Sequence, residues 1–163
     1  MLISHATRNR IAEQVRRLFG GMPSRVQVAA LPWREHAGTI EVMLITSRDT
    51  GRWVLPKGWP EGGEQLFESA AREAEEEAGL TGTMARTEFG RYFYGKRMPS
   101  GMERRCEVLV FPLEVGATAA NWPERSERKR KWFPTSEAAG LVQEQDLGEL
   151  IGRFGKSRHK IAA

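Results

Sequence analysis

A chain of 163 residues that is 40% hydrophobic and 28% charged is sized for a single domain with one real core. A formal charge of +4 and a pI near 9.6 point to anionic partners, nucleic acid or polyphosphorylated small molecules. The basic residues are scattered among acidic ones, no aromatic-basic repeat of an RNA-binding sheet stands out, one cysteine excludes an internal disulfide, and no apolar run reaches membrane-spanning length.

In chain order, Ala6 to Phe19 predicts a helix, with Ile11, Val15 and Leu18 on one side and Arg8, Arg16 and Arg17 mostly elsewhere. Gly20-Gly21 and Pro23 end it. Met1 to Asn9 lacks the apolar core of a secretory signal, and the arginine-rich helix, by its length and the lack of a serine-rich stretch, is read as capping the domain rather than as a transit peptide. Val26 to Leu31 and Ile40 to Thr46 predict strands, and the turn Asp49-Thr50-Gly51 separates the second from the short strand Trp53-Val54-Leu55. A helix follows within the next thirty residues or so. Thr83 to Tyr94 and Glu107 to Leu113 predict two strands joined by a polar loop with Pro99 and Gly101. Trp132-Phe133 predicts a last short strand, Thr135 or Ser136 then caps a helix through Val142, and Asp146 to Phe154 predicts a final helix. The basic tail from Gly155 is expected to fray. Strands mixed with helices in this way fit α+β, an α/β/α sandwich around a mixed sheet.

The chemistry is concentrated between Gly58 and Leu80. Glu73, Glu76 and Glu77 stand at i, i+3 and i+4, so on a helix they share one face. The apolar stripe Phe67, Ala70, Ala71, Ala74 and Ala78 lies roughly opposite, and its small alanines let a helix lie close to a sheet. Gly79 suits the position just past the helix end, and Glu64 near the start suits the helix dipole. Glutamate-rich helix faces are usually only solvated. Here the glycines, Arg72 and the spacing argue instead for a site. Converging carboxylates repel one another unless a cation lies between them, and a hard divalent ion prefers oxygen ligands.

The segment resembles the Nudix box, G-x5-E-x7-R-E-U-x-E-E-x-G-U with U apolar. Gly58, Glu64, Arg72, Glu73, Glu76, Glu77 and Gly79 meet every fixed position, and Ala74 and Leu80 fill the apolar slots. The flanks Arg52-Trp53-Val54-Leu55-Pro56-Lys57 and Arg128-Lys129-Arg130-Lys131-Trp132-Phe133 are similar to the diphosphoinositol polyphosphate phosphohydrolase branch, which also cleaves diadenosine polyphosphates. The likeness runs from about Arg25 to about Val142. One departure lies in the loop, where the branch often carries a Gly-Gly-Gly run and this chain has Lys57-Gly58-Trp59.

The resemblance implies a metal-dependent hydrolase with Mg2+ or Mn2+ as cofactor, acting on diphosphate linkages in diphosphoinositol or dinucleoside polyphosphates by water attack at phosphorus. Glu73 and Glu77 are the implied principal metal ligands. Glu76 is the implied general base and a further ligand, and Arg72 orients a box glutamate. Glu64 either ligates or pins the loop, and a Gly58 or Lys57 carbonyl joins the coordination shell. Matching positions imply Arg25, Ser47, Arg48, Arg104, Arg105 and Arg128 as phosphate-binding residues, while Lys57 and Gly58 enter through proximity to the box. Arginine suits this role because its fork matches phosphate oxygens two at a time.

Other residues read plainly. His5, His36 and His159 are dispersed surface residues without metal spacing, and Cys106 is a buried structural thiol in a strand. Trp53 and Trp132 are expected in the core, while Trp59 in the loop stacks on a base, covers the mouth or packs. The partner is expected to be a small polyphosphate, with no membrane and with nucleic acid only as an RNA 5′-end substrate, in the cytoplasm. Three function classes stand. The first is the polyphosphate hydrolase. The second is an RNA 5′-pyrophosphohydrolase or nucleotide-pool pyrophosphatase on the same box. The third is a non-catalytic nucleotide sensor, against which the intact Glu73, Glu76 and Glu77 argue.

Overall fold

The computed structural model describes residues 4–18 and 25–159. In chain order the elements are α1 (His5–Leu18), β1 (Arg25–His36), β2 (Thr39–Thr46), β3 (Trp53–Val54), β4 (Lys57–Gly58), α2 (Leu66–Ala78), β5 (Leu80–Met84), β6 (Gly90–Arg97), β7 (Glu103–Thr118), β8 (Arg130–Pro134), α3 (Thr135–Leu141) and α4 (Gln145–His159). The expected breaker at Gly20-Gly21 and Pro23 lies outside the described residues.

The eight strands form one mixed sheet whose backbone order is β3-β2-β1-β7-β5, with β4 on β1, β6 on β7 and β8 on β2. β1 and β7 run parallel through its centre, and the other pairings are antiparallel. Both central strands contain a proline, which cannot donate to a ladder. Each proline falls where its strand changes partner. Pro32 lies between the β4 register at Val28–Ala29 and the β2 register at Trp33–His36. Pro112 lies between the β6 register ending at Val110 and the β5 register starting at Leu113.

Successive residues of a strand point to opposite faces, so β1 feeds two cores. Ala29, Leu31 and Trp33 pack with Val108, Val110, Leu150, Ile151 and Phe154 under α3 and α4. Val28 and Ala30 pack on the other face, against Ala70, Ala74 and Ala78 of α2. These three alanines are fully buried, so the short side chains do let the helix lie close to the sheet. The result is the expected mixed-sheet α/β/α sandwich.

Several boundaries differ from expectation. Thr83 to Tyr94 is not one strand but the end of β5 and the start of β6. The chain bends at Ala85–Phe89, where the Ala85 and Phe89 N–H groups donate to Pro112 and Val110. β7 is much longer than Glu107–Leu113 because it serves three partners. At α3 neither Thr135 nor Ser136 caps: Pro134 precedes the helix, and Thr135 is buried. α4 continues to His159, so the expected fraying does not begin at Gly155; there a Cβ would come within 2.2 Å of the Thr135 hydroxyl. In α1 the stripe Ile11, Val15 and Leu18 is exposed at 49%, 45% and 83% rather than packed. That helix is tied by polar contacts instead, Asn9 to Asp146 at 2.8 Å and the His5 N–H to Glu149. Asp146, 3% exposed, also accepts the Phe93 N–H on the edge strand β6. Cys106 is buried in β7 as expected, and Trp53 and Trp132 pack against the two main cores.

Candidate active site

The site is a loop and a helix locked to each other. Gln65 precedes α2, and its N–H donates to Glu68 at 2.8 Å, closing the first turn. Gly79 ends the helix at φ 64°, ψ 38°, a left-handed conformation that glycine adopts at little cost. Buried Ser69 joins the loop to the helix: its hydroxyl donates to Glu64 at 2.6 Å and accepts the Glu61 N–H at 3.2 Å. The Ser69 hydroxyl holds the Glu64 carboxyl below its ordinary range, with Arg72 adding to the effect.

Arg72 is the hub. Its guanidinium donates to Glu64, to Glu73 at 2.9 Å, to Glu76 at 3.5 Å and to the Trp59 carbonyl at 3.3 Å. One side chain therefore sets three box glutamates and the loop backbone together. Glu64, bonded to Ser69 and Arg72, pins the loop.

The three helix glutamates have different surroundings. Glu76 is half exposed, with a side-chain exposure of 48%. Glu73 is mostly buried and sits directly on the backbone of Gly58, where an added Cβ would lie 2.1 Å from its carboxylate oxygen. Burial pushes its carboxyl up, and Arg72 opposes the shift. Glu77 is 8% exposed, although the helical spacing put it opposite the apolar stripe. It lies at the rim between helix and sheet, where it accepts the Lys57 N–H at 3.0 Å and a short bond from Arg128. Burial pushes its carboxyl up to about 7, against the pull of Arg128 and Lys57.

Around this centre the expected substrate residues separate into groups. Arg128, 7% exposed, lies within the carboxylate cluster, donating to Glu77, Glu124 and the Thr46 carbonyl. Ser47 and Arg48 occupy the turn after β2, and Arg48 reaches Glu124 at 3.4 Å and Glu127 at 2.9 Å. Arg25, Lys57 and Arg104 share one face of the sheet, because Arg25 pairs with Cys106 and Lys57 with Ala29. Arg105, next to Arg104 on β7, points to the opposite face, over Phe93 and toward Asn9. The basic run after Arg128 is not one patch: Arg130 donates to the Ala78 and Ala119 carbonyls and stacks on Trp122, while Lys131 is exposed.

Glu124 escaped the sequence reading. It lies on the loop between β7 and β8, whose backbone closes on the helix end through the Glu124 N–H to the Glu76 carbonyl. Its charge raises the carboxyls of both Glu73 and Glu77. The only trace in the sequence is its i,i+4 spacing to Arg128, because the contact with the box is tertiary.

Oxygen ligands suited to a hard divalent cation are present: the carboxylates of Glu73 and Glu77, one turn apart, and the Lys57–Gly58 backbone against which both rest. Both carboxyls are raised by burial, which marks them as short of positive charge. Among the described residues no three metal-ligating side chains converge on one point; the guanidiniums of Arg72 and Arg128 serve as their counter-ions.

Comparison with known proteins gives the same assignment. Residues 23–153 match the NUDIX domain model. Nudix hydrolase 21, chloroplastic, of Arabidopsis thaliana is 36% identical over 134 residues, covering 80% of this chain and 66% of that protein. Nudix hydrolase 13, mitochondrial, of the same plant is 31% identical, covering 71% of this chain and 59% of that protein. The chain thus spans about three fifths to two thirds of these relatives' length. A Caenorhabditis elegans Ap4A hydrolase in a binary complex superposes with a TM-score of 0.60 at 22% identity, covering 80% of this chain and 94% of the other, which is likeness of fold. A family model over most of the chain, a complete box and a loop-helix with its glutamates held in place make this protein a member of the Nudix hydrolase family.

Proposed function

We propose that the protein is a divalent-metal-dependent hydrolase of diphosphate linkages in small polyphosphorylated molecules, dinucleoside polyphosphates and diphosphoinositol polyphosphates. The observation that carries this reading is the desolvated pair Glu73 and Glu77 against the Lys57–Gly58 backbone, beside the cation Arg128. Glu73, Glu77 and a Lys57 or Gly58 carbonyl would hold Mg2+ or Mn2+. Bound there, the ion neutralises phosphate oxygens and lowers the pKa of water. Glu76, the most accessible of the three helix glutamates, takes the proton of the attacking water. Arg72 keeps Glu73 and Glu76 in register by donating to both. Arg128 and Arg48 stand beside Glu124 at the edge of the site, where they would receive phosphate oxygens.

Chromatographic separation of the hydrolysis products formed with Mg2+ or Mn2+ across a substrate panel tests the reading. The panel holds diadenosine penta- and hexaphosphate, diphosphoinositol pentakisphosphate, 8-oxo-dGTP, ADP-ribose and 5′-triphosphorylated RNA. Preference for the first three supports it. Preference for RNA or a mononucleotide keeps the chemistry and discards the substrate class, and no turnover with either metal returns the sensor reading. Glu76→Gln and Glu124→Gln, assayed side by side, assign the base: the variant with the larger loss of kcat at unchanged KM carries it.

A further inference from the structure

The open end of the sheet, on the face shared with α4, carries a group of cations. Arg25 pairs with Cys106, Cys106 with Tyr94, and Arg104 with Lys96, so these residues lie side by side on β1, β7 and β6. Lys57 joins them from β4. Lys96, Arg25 and Lys57 all act electrostatically on the buried Cys106 thiol, which shows how closely they gather. Among the described residues, carboxylates pair with Arg34, Arg48, Arg52, Arg72, Arg91 and Arg128, and none lies within ion-pair distance of Arg25, Lys57, Lys96 or Arg104. The Arg104 Nε is buried with no hydrogen-bond partner.

Aromatic rings hold three of these cations instead. The Arg25 guanidinium lies 4.9 Å and the Lys96 ammonium 4.8 Å from the centre of the Trp59 indole, and Lys57 lies 5.1 Å from the Tyr94 ring. The choice of partner matters chemically. A carboxylate would neutralise each cation and compete with an incoming phosphate. An aromatic face attracts a cation through its quadrupole and leaves the charge available. Trp59 is itself fixed to the catalytic helix, because its carbonyl accepts a bond from Arg72, the residue that holds Glu73.

We propose that Trp59 is a positioning residue: its indole holds Arg25 and Lys96 as un-neutralised cations that, with Arg104 and Lys57, receive the phosphates of a polyphosphate chain, and it does not stack on a base. The inference deepens the hydrolase reading and rests on it for the reaction, but phosphate capture can be measured without turnover. The probe is inorganic tripolyphosphate, titrated calorimetrically into metal-free protein. Trp59→Leu should weaken binding roughly fivefold to tenfold, as expected for two partly desolvated cation–aromatic contacts, while Trp59→Phe stays within about twofold. In an Arg25→Met, Lys96→Met background Trp59→Leu should cost nothing more, because there is no cation left to hold. Should Trp59→Leu not fold, Trp59→Gln carries the same expectation. In turnover of diadenosine hexaphosphate the loss should fall on KM rather than kcat. Wild-type affinity in Trp59→Leu, equal losses in the Leu and Phe variants, a loss that persists in the Met background, or no tripolyphosphate binding by the wild type overturns the inference. Normal tripolyphosphate behaviour with no turnover of any substrate in the panel overturns the hydrolase reading and leaves the cation-holding role of Trp59 standing.

Discussion

Gly58→Ala is the sharpest perturbation of the site, because a single methyl group meets a proposed metal ligand. The new Cβ would lie 2.1 Å from one Glu73 carboxylate oxygen, 2.2 Å from its carbon and 2.5 Å from the other oxygen, against 3.4 Å for ordinary contact. Something must therefore move by about 1.3 Å. The backbone resists, since Gly58 pairs with Val28 on a central strand and the neighbouring Lys57 N–H is bonded to Glu77. The carboxylate is the far end of a flexible side chain, so it yields and pulls on Arg72, 2.9 Å away. A tilted rotamer costs about 1 kcal/mol, which for a domain of this size lowers Tm by roughly 2–4 °C. Displacing a ligand by about 1 Å costs on the order of a hundredfold in kcat, or ~2.7 kcal/mol of transition-state stabilisation. Differential scanning fluorimetry, Mn2+ calorimetry and turnover of diadenosine hexaphosphate read the three quantities. The expected pattern is a nearly unchanged Tm, a weaker Mn2+ isotherm and a large fall in kcat. Wild-type turnover with a wild-type isotherm would refute the reasoning, since Glu73 could then not be a metal ligand. A Tm loss of ten degrees or more would show that the strand, not the carboxylate, takes up the strain.

Other perturbations probe the same network. Glu77→Gln should keep the fold and lose at least roughly a hundredfold in kcat, because a neutral amide ligates Mg2+ poorly; near-normal kcat removes Glu77 from the metal site. Glu77 also sets a pH dependence. Its folded pKa, about 7, lies above the usual carboxylate value of 4.5, so without metal its contribution is fully present below pH 4.5 and lost as pH rises through 7. That loss amounts to at most ~3 kcal/mol, seen as a fall in wild-type Tm relative to Glu77→Gln across this window and relieved by Mg2+; a flat difference contradicts it. Arg128→Ala leaves Glu77 and Glu124 without their shared cation, so it should lower metal-free stability by about 3 kcal/mol and regain most of it in Mg2+, as chemical denaturation with and without the ion would show. Asp146→Ala unpins β6 and α1 from α4 and should cost roughly 2–4 kcal/mol whether or not metal is present; a loss under 1 kcal/mol would mean solvent replaces its bonds.

Much of this protein can be read from local pattern. The box helix α2 is periodic at 3.6 residues, its stop is a glycine that adopts the left-handed conformation, and its alanine stripe is the buried face. Where expectation and structure part, a neighbour distant in sequence is responsible. Thr83 to Tyr94 looks continuous, but β7 changes partner at Pro112 and the chain must bend to follow. Ile11, Val15 and Leu18 lie on one side of a helix expected to cap the domain, yet α1 docks by Asn9 and the His5 backbone, and nothing in a 3.6-residue period distinguishes a face that packs from one that does not.

The candidate site divides along the same line. The spacing of Arg72, Glu73, Glu76 and Glu77 determined by itself which side chains share one side of the helix, because helical geometry makes neighbours of residues three and four apart. Only the tertiary structure decided that Glu77 is buried while Glu76 is half exposed, since that depends on which sheet edge lies beside the helix. It alone brought Glu124 and Arg128 against the box, set Arg104 and Arg105 on opposite faces, and gathered Arg25 and Lys96 around Trp59. Charge and burial act through space, and strands far apart in sequence meet only once the sheet has formed.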